Sequence, residues 1–240
     1  MFPYDPQILA ALETPPATIP NVLDTMQTIA ALTVDGDGLQ WFNSLYFSVT
    51  QAVESRVSAG GFADPAFLAE LDVQFAQLYF NALKSYLTGG QLPDCWQTLF
   101  AQRTQTALTR IQFALAGVNA HINHDLPSAL VSTCQIRNLV PQHGTPQYND
   151  YSSLNSTLDS LIAGEEQTLR VRFLGDLVPG GTTLEDTIGA WSVSAAREAA
   201  WNNSELLWHL REESALSAGF LNTLDGLATL FSKAVLIPIP

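Results

Sequence analysis

Cysteine, positive charge and long apolar runs are all scarce in this chain, and each scarcity excludes something. The 240 residues include two cysteines, Cys95 and Cys134. Two thiols in apolar surroundings build no disulfide framework, and buried free thiols are expected. Lys and Arg number 10 against 23 Asp and Glu, a net charge of −13. So acidic a surface argues against nucleic acid and against anionic membranes as partners. No uncharged apolar run approaches the ~18 residues of a membrane span. Nor is there a basic stretch followed by an apolar one, so no signal peptide is read and a soluble, cytoplasmic protein is expected. The sequons at Asn155 and Asn202 then carry no weight. Also missing are a G-x-S-x-G elbow, a P-loop, a G-x-G-x-x-G turn and a C-x-x-C pair, which removes most support for serine hydrolase, triphosphatase, dinucleotide and redox readings. There is no useful strand alternation and no hairpin signature.

Hydrophobic residues make up 47% and charged residues 14%. Disorder needs the opposite balance. The periodicity predicts one all-α domain over residues 1–240, a bundle of about seven to nine helices, with residues 1–20 as an irregular arm carrying one helical turn at Ile8–Leu12. Helices are expected over 21–32, 39–57, 64–86, 94–100, 108–139, 149–163, 183–210 and 214–236, with a further apolar piece at 169–174. Asp64-Pro65 starts the fourth helical segment as cap and first helical residue, and Asp94 is read as the next cap. Asp35-Gly36-Asp37-Gly38 is a turn with an N-cap; a calcium loop would need a closing glutamate, which is missing.

One stretch stands apart. Between Phe113 and Pro127 an apolar helix packs Asn119, His121, Asn123, His124 and Asp125 into seven residues. Buried polar groups must be paired. Pro127 removes a hydrogen bond and clashes with the carbonyl of Asn123, so a kink or break of this central helix is expected beside the cluster. His121 and Asp125, four apart, share a helix face. A carboxylate that fixes an imidazole suits a general base, and the same pair suits a divalent metal, to which Asp72 would be recruited. A self-satisfied His–Asp–Asn network that stitches helices together is the third possibility. Asp72 itself lies at the Phe75 and Tyr79 side of its helix, either buried or at a wet edge.

A second constellation, Glu198, Asn202, Glu205 and His209, falls within about 40° of one helix face. Its spacing is not the Glu-x-x-His of bundle metal sites, and a solvated face is the plain reading. Arg197 and Trp201 share another face, where the guanidinium is expected to stack on the indole or hold an anionic substrate.

Asn119-Ala120-His121-Ile122-Asn123-x-Asp125-Leu126 resembles the signature of a family of bacterial all-helical proteins known only as a domain of unknown function. Leu39-Gln40-Trp41-Phe42-Asn43-x-Leu45-Tyr46, Leu71-Asp72-Val73-x-Phe75-Ala76-x-Leu78-Tyr79 and Ala196-Arg197-Glu198-x-Ala200-Trp201 belong to the same resemblance, which spans most of the chain. It implies an all-helical fold and favours Asn119, His121, Asn123, Asp125, Asp72, Arg197 and Trp201 over His124 and His209. It implies no reaction.

The expectation is a small-molecule enzyme of the hydrolase type, with or without a divalent metal. His121 and Asp125 are its acid–base pair, and Asn119, Asn123, Arg197, Trp201 and Tyr79 face the substrate. A metal, if one binds, would take His121, Asp125 and Asp72. A cofactor-free lyase, isomerase or cyclase of specialised metabolism is the alternative, and a non-catalytic binding or scaffold protein is the other. An enzyme should show His121 lining a concave pocket with two or more of Asp72, Asp125 and Arg197 converging; a scaffold should bury it with every polar atom paired and no cavity.

Overall fold

Proline and small polar residues set the helix starts. Thr18 accepts from Asn21 N at 3.3 Å with Pro20 just inside the helix. Asp64 accepts from Phe67 N at 3.0 Å with Pro65 as first helical residue. Thr145 accepts from Tyr148 N ahead of Pro146. Each pairing satisfies a backbone donor that a helix start leaves open, and proline tolerates that position because its missing N–H is not needed there. Gly89 closes a helix with a φ of 70°, a left-handed conformation natural to glycine.

The structure, a computed structural model, describes residues 2–158 and 192–238. In chain order the helices are α1 (Asp5–Ala11), α2 (Ile19–Leu32), α3 (Leu39–Ser58), α4 (Pro65–Thr88), α5 (Asp94–Ala101), α6 (Arg110–Ala120), α7 (Leu126–Arg137), α8 (Pro146–Ser153), α9 (Val193–Leu210) and α10 (Ser214–Val235). A five-residue π segment, His121–Asp125, joins α6 to α7. No strand occurs among the described residues. The expected helical pieces at 169–174 and 183–191 lie outside them.

The α6–π–α7 rod is the axis of the fold. α6 packs against α3 and α10, α7 against α4 and α9, and the π segment touches α4, α9 and α10. Gly117 lets α3 come this close, because a methyl there would overlap the Phe42 ring. The core runs continuously from Ile8 on α1 to Val235 on α10. Among the described residues no helix is long and apolar enough to cross a membrane.

Three expectations change in detail. The N-terminal arm is more ordered than its prolines suggest. It forms α1, and Asp5 pairs with the buried Arg103 at 3.1 Å. Asp37 of the glycine-rich turn is buried as well. It bonds Arg103, takes the Tyr4 hydroxyl at 2.9 Å and accepts from Leu39 N at 3.0 Å at the start of α3. Asp94 does not cap α5. Asp225 does so from α10, accepting from Asp94 N at 2.8 Å and Cys95 N at 2.9 Å.

Candidate functional site

The expected interruption at Pro127 takes the form of the π segment. Proline cannot donate to the Asn123 carbonyl. The chain answers with one wider turn, in which Leu126 N reaches back to His121 O, and Pro127 then sits in the first turn of α7. Single π turns are a common device at functional sites. Here the turn spans the residues His121 to Asp125.

Within that turn Asp125 gathers three donors. His121 Nδ1 lies 3.0 Å from Oδ2, His124 Nδ1 2.7 Å from Oδ1, and Trp96 Nε1 on α5 donates to Oδ2 at 2.9 Å. Burial by itself would raise this carboxyl's pKa, but the bonds from the two histidines overcome it and hold it below the ordinary value. The histidines divide the work. Burial lowers His124, yet its bond to Asp125 and that residue's charge win, so its pKa is raised. His121 is fully enclosed; there burial wins over the Asp125 bond, the charge on His124 adds to it, and its pKa is lowered. The Asp125 carboxylate thus lies between a His124 biased toward the imidazolium and a His121 biased toward the neutral imidazole.

A carboxylate only accepts, so the proton of neutral His121 must be on Nδ1. Nε2 then carries the lone pair. It is buried and has no hydrogen-bond partner. The ring is held by aromatic neighbours. Phe75 stacks on it at 3.4 Å, Tyr46 meets it edge-on at 4.5 Å, Phe42 at 5.7 Å and Trp96 at 5.9 Å.

Two adjoining cavities, each of about 50 Å³, open beside this ring. They share Tyr46, Val49, Phe75, Leu158 and Arg197. His121, Phe42, Val118 and Ile122 line the first; Asp72, Leu68, Leu71 and Leu126 line the second. Asp72 is buried, with Oδ2 unpartnered. Burial, with the nearby charge of Glu54, pushes its pKa up to about 8, so the acid is largely protonated at pH 7. The Tyr46 hydroxyl is also buried; Thr50 Oγ1 is its polar neighbour, but the two do not meet in hydrogen-bond geometry and neither has another partner. Burial raises the Tyr46 pKa well above the ordinary value, and the charges of Asp72 and Asp125 add to that.

The other expected residues fall in different places. Asn119 and Asn123 are two residues from His121, and a helical turn sends them to the opposite side. Asn119 ties α6 to α10 through Ala228 O at 2.7 Å and Ser232 Oγ at 3.0 Å, while Asn123 donates to Asn119 at 2.8 Å. Both line a separate cavity of about 450 Å³ between α9 and α10. Tyr79 is sealed in the core and donates to Asn43 at 3.3 Å. Trp201 is equally buried and donates to Glu205 at 3.1 Å. Arg197 does not stack on Trp201. It lies over the Tyr151 ring at 4.0 Å and donates to Asn155 Oδ1 at 2.8 Å and Tyr151 O at 3.0 Å, while lining both small cavities.

His121, Asp125 and Asp72 do not converge as a ligand set. Among the described residues no group of three or more His, Cys, Asp or Glu side chains is placed to hold a metal ion. On α9, Glu198 and Glu205 are bridged by exposed His143, at 2.9 Å and 2.6 Å, while His209 points to solvent. The sequence reading missed the roles of Trp96 and His124. It also passed over Tyr46 and Phe75, although both lie in stretches that carry the family resemblance. For Trp96 the chain offers no local sign; its link to Asp125 crosses 29 positions.

No curated protein and no solved structure matches the chain. A family profile does match, over residues 19–238. The chain therefore belongs to a family of unknown function (DUF5995).

Proposed function

We propose that the chain is an enzyme that hydrolyses a small, uncharged molecule, with His121 as general base and Asp125 as the group that orients it. The observation that carries this reading is the His121 Nε2 lone pair, buried, unpartnered and placed beside a cavity. A histidine that served only to join helices would have both nitrogens paired. His121 has one paired and one spare. Its depressed pKa keeps it neutral, which is the form a base needs. Three donors on Asp125 and the stacked Phe75 ring fix the imidazole before any substrate arrives. Among the described residues neither small cavity is lined by Ser, Cys or Lys, so water at Nε2 is the natural nucleophile. The mostly apolar walls suit an uncharged reacting group.

The test is a panel of short-chain phenyl and 4-nitrophenyl esters and small lactones, with the wild-type chain and His121→Gln at equal concentration. A positioned base contributes about 10²–10⁴-fold, so the variant should lose at least 100-fold on whichever member turns over. Equal rates for the two proteins on every member would rule the reading out.

A further inference from the structure

We infer that Tyr46 and Asp72 are the donors that receive the carbonyl oxygen of a short acyl substrate, so that the site is built for small esters. This rests on His121 as base. Three buried polar atoms, His121 Nε2, Tyr46 Oη and Asp72 Oδ2, have no hydrogen-bond partner, and all three belong to residues that line the paired cavities. Burying such atoms unpaired is costly. Orphans in two adjoining cavities that share Tyr46 mark a site that a ligand completes.

The three atoms are of complementary kinds. Nε2 is an acceptor. The Tyr46 hydroxyl is a donor, since burial and the nearby carboxyls keep it protonated. The Asp72 carboxyl is also a donor at neutral pH, because burial holds its proton up to about pH 8. A phenol and a neutral carboxylic acid set in apolar walls form a known kind of oxyanion site. They stabilise charge that develops on oxygen, and the low polarity around them strengthens that effect.

Size limits the substrate. Each cavity is small, about 50 Å³, which suits a short acyl group and no long chain.

The step balances without a further reactant. Water oxygen bonds to the acyl carbon while its proton passes to His121 Nε2. The C=O π pair moves onto the carbonyl oxygen, which Tyr46 and Asp72 hold. When that pair returns, the bond to the leaving alkoxy oxygen breaks, and this oxygen takes the proton from Nε2.

Phenyl acetate is the activity probe. Trifluoroacetone, a ketone of acetyl size that adds water readily, is the binding probe, followed by fluorine NMR. The variants are Tyr46→Phe, Asp72→Leu and Asp72→Asn, with circular dichroism to confirm that each is folded. Losing one oxyanion donor costs about 10²–10³-fold in kcat. Tyr46→Phe and Asp72→Leu should lose that much with KM nearly unchanged. They should also bind trifluoroacetone at least tenfold more weakly. Asp72→Asn still has an N–H to donate; it should keep most of both properties and lose the fall in rate near pH 8. Full activity and probe binding in Tyr46→Phe and Asp72→Leu, with His121→Gln inactive, would overturn this inference and leave the base intact. An active His121→Gln would instead remove the reading beneath it. No bound trifluoroacetone in the wild type would also overturn the inference.

Discussion

Phe75 lies flat on His121, ring centroids 3.4 Å apart and planes 6° from parallel. The contact joins α4 to the π segment and does two things. It locks the imidazole plane, and it keeps water from one face of the ring. Both follow from one half-buried phenylalanine.

Removing that ring should therefore move a pKa as well as stability. His121 is held below its ordinary value chiefly by burial. In Phe75→Ala water reaches the imidazole, and its titration midpoint should rise toward about 6.5. Proton NMR of the ring would follow it. Phe75→Leu restores bulk and should keep the depressed midpoint. The cost in stability is about 1–3 kcal/mol, less than for a fully buried Phe.

His124 supplies the charge that Asp125 needs. Its folded pKa is raised above the unfolded value, so the imidazolium binds its proton more tightly in the folded chain. That contribution is complete below about pH 6.5. It is lost as pH climbs through the raised value. His124→Gln should cost about 1.5–3 kcal/mol at pH 6, and less as pH rises. Urea denaturation at pH 6 and pH 9 would measure the difference. A gap that is equal at both pH values would show that the charge is not what matters.

Asp72 gives stability the same pH trend, but its ionised form is a cost to the fold instead of a gain. Its carboxyl titrates near pH 8 in the folded chain instead of near 3.8. Between those values the folded chain holds a proton that the unfolded chain has released. Stability therefore falls as pH rises across that window, by up to about 1.4 kcal/mol per pH unit from this group. Asp72→Asn removes the ionisation. The variant should melt at a higher temperature than wild type at pH 8, with the advantage shrinking toward pH 5. Thermal scans across that range check it.

Gly117 is the point where α3 and α6 pass. Any β-carbon there overlaps Phe42, which in turn packs edge-on to His121. Gly117→Ala should destabilise the fold by about 1–3 kcal/mol despite alanine's better helix propensity. It should also shift the His121 ring resonances in NMR. Gly219 on α10 has open space around it, so Gly219→Ala should be neutral or stabilising.

Much of this molecule is local and therefore readable along the chain. The apolar spacing, the caps at Asp64 and Gly89 and the proline at 127 depend on residues within a turn or two of each other. The pairing of His121 with Asp125 is of the same kind, since four residues along a helix return to the same side. The resemblance to an all-helical family of unknown function was legible too, and a family profile matches residues 19–238. What the chain order misjudged was company. Asn119 and Asn123 look like partners of His121 because they are close in sequence, yet two residues turn a side chain to the far face, and they serve another cavity. Asp125's indole donor comes from α5, its neighbour's stacking ring from α4, and the orphan hydroxyl from α3. Those groups meet only because α6–π–α7 runs through the middle of the bundle and the surrounding helices close on it. Long-range packing decides which side chains share a dry space. That choice lowers the pKa of one histidine and turns an ordinary aspartate into an acid that keeps its proton at neutral pH.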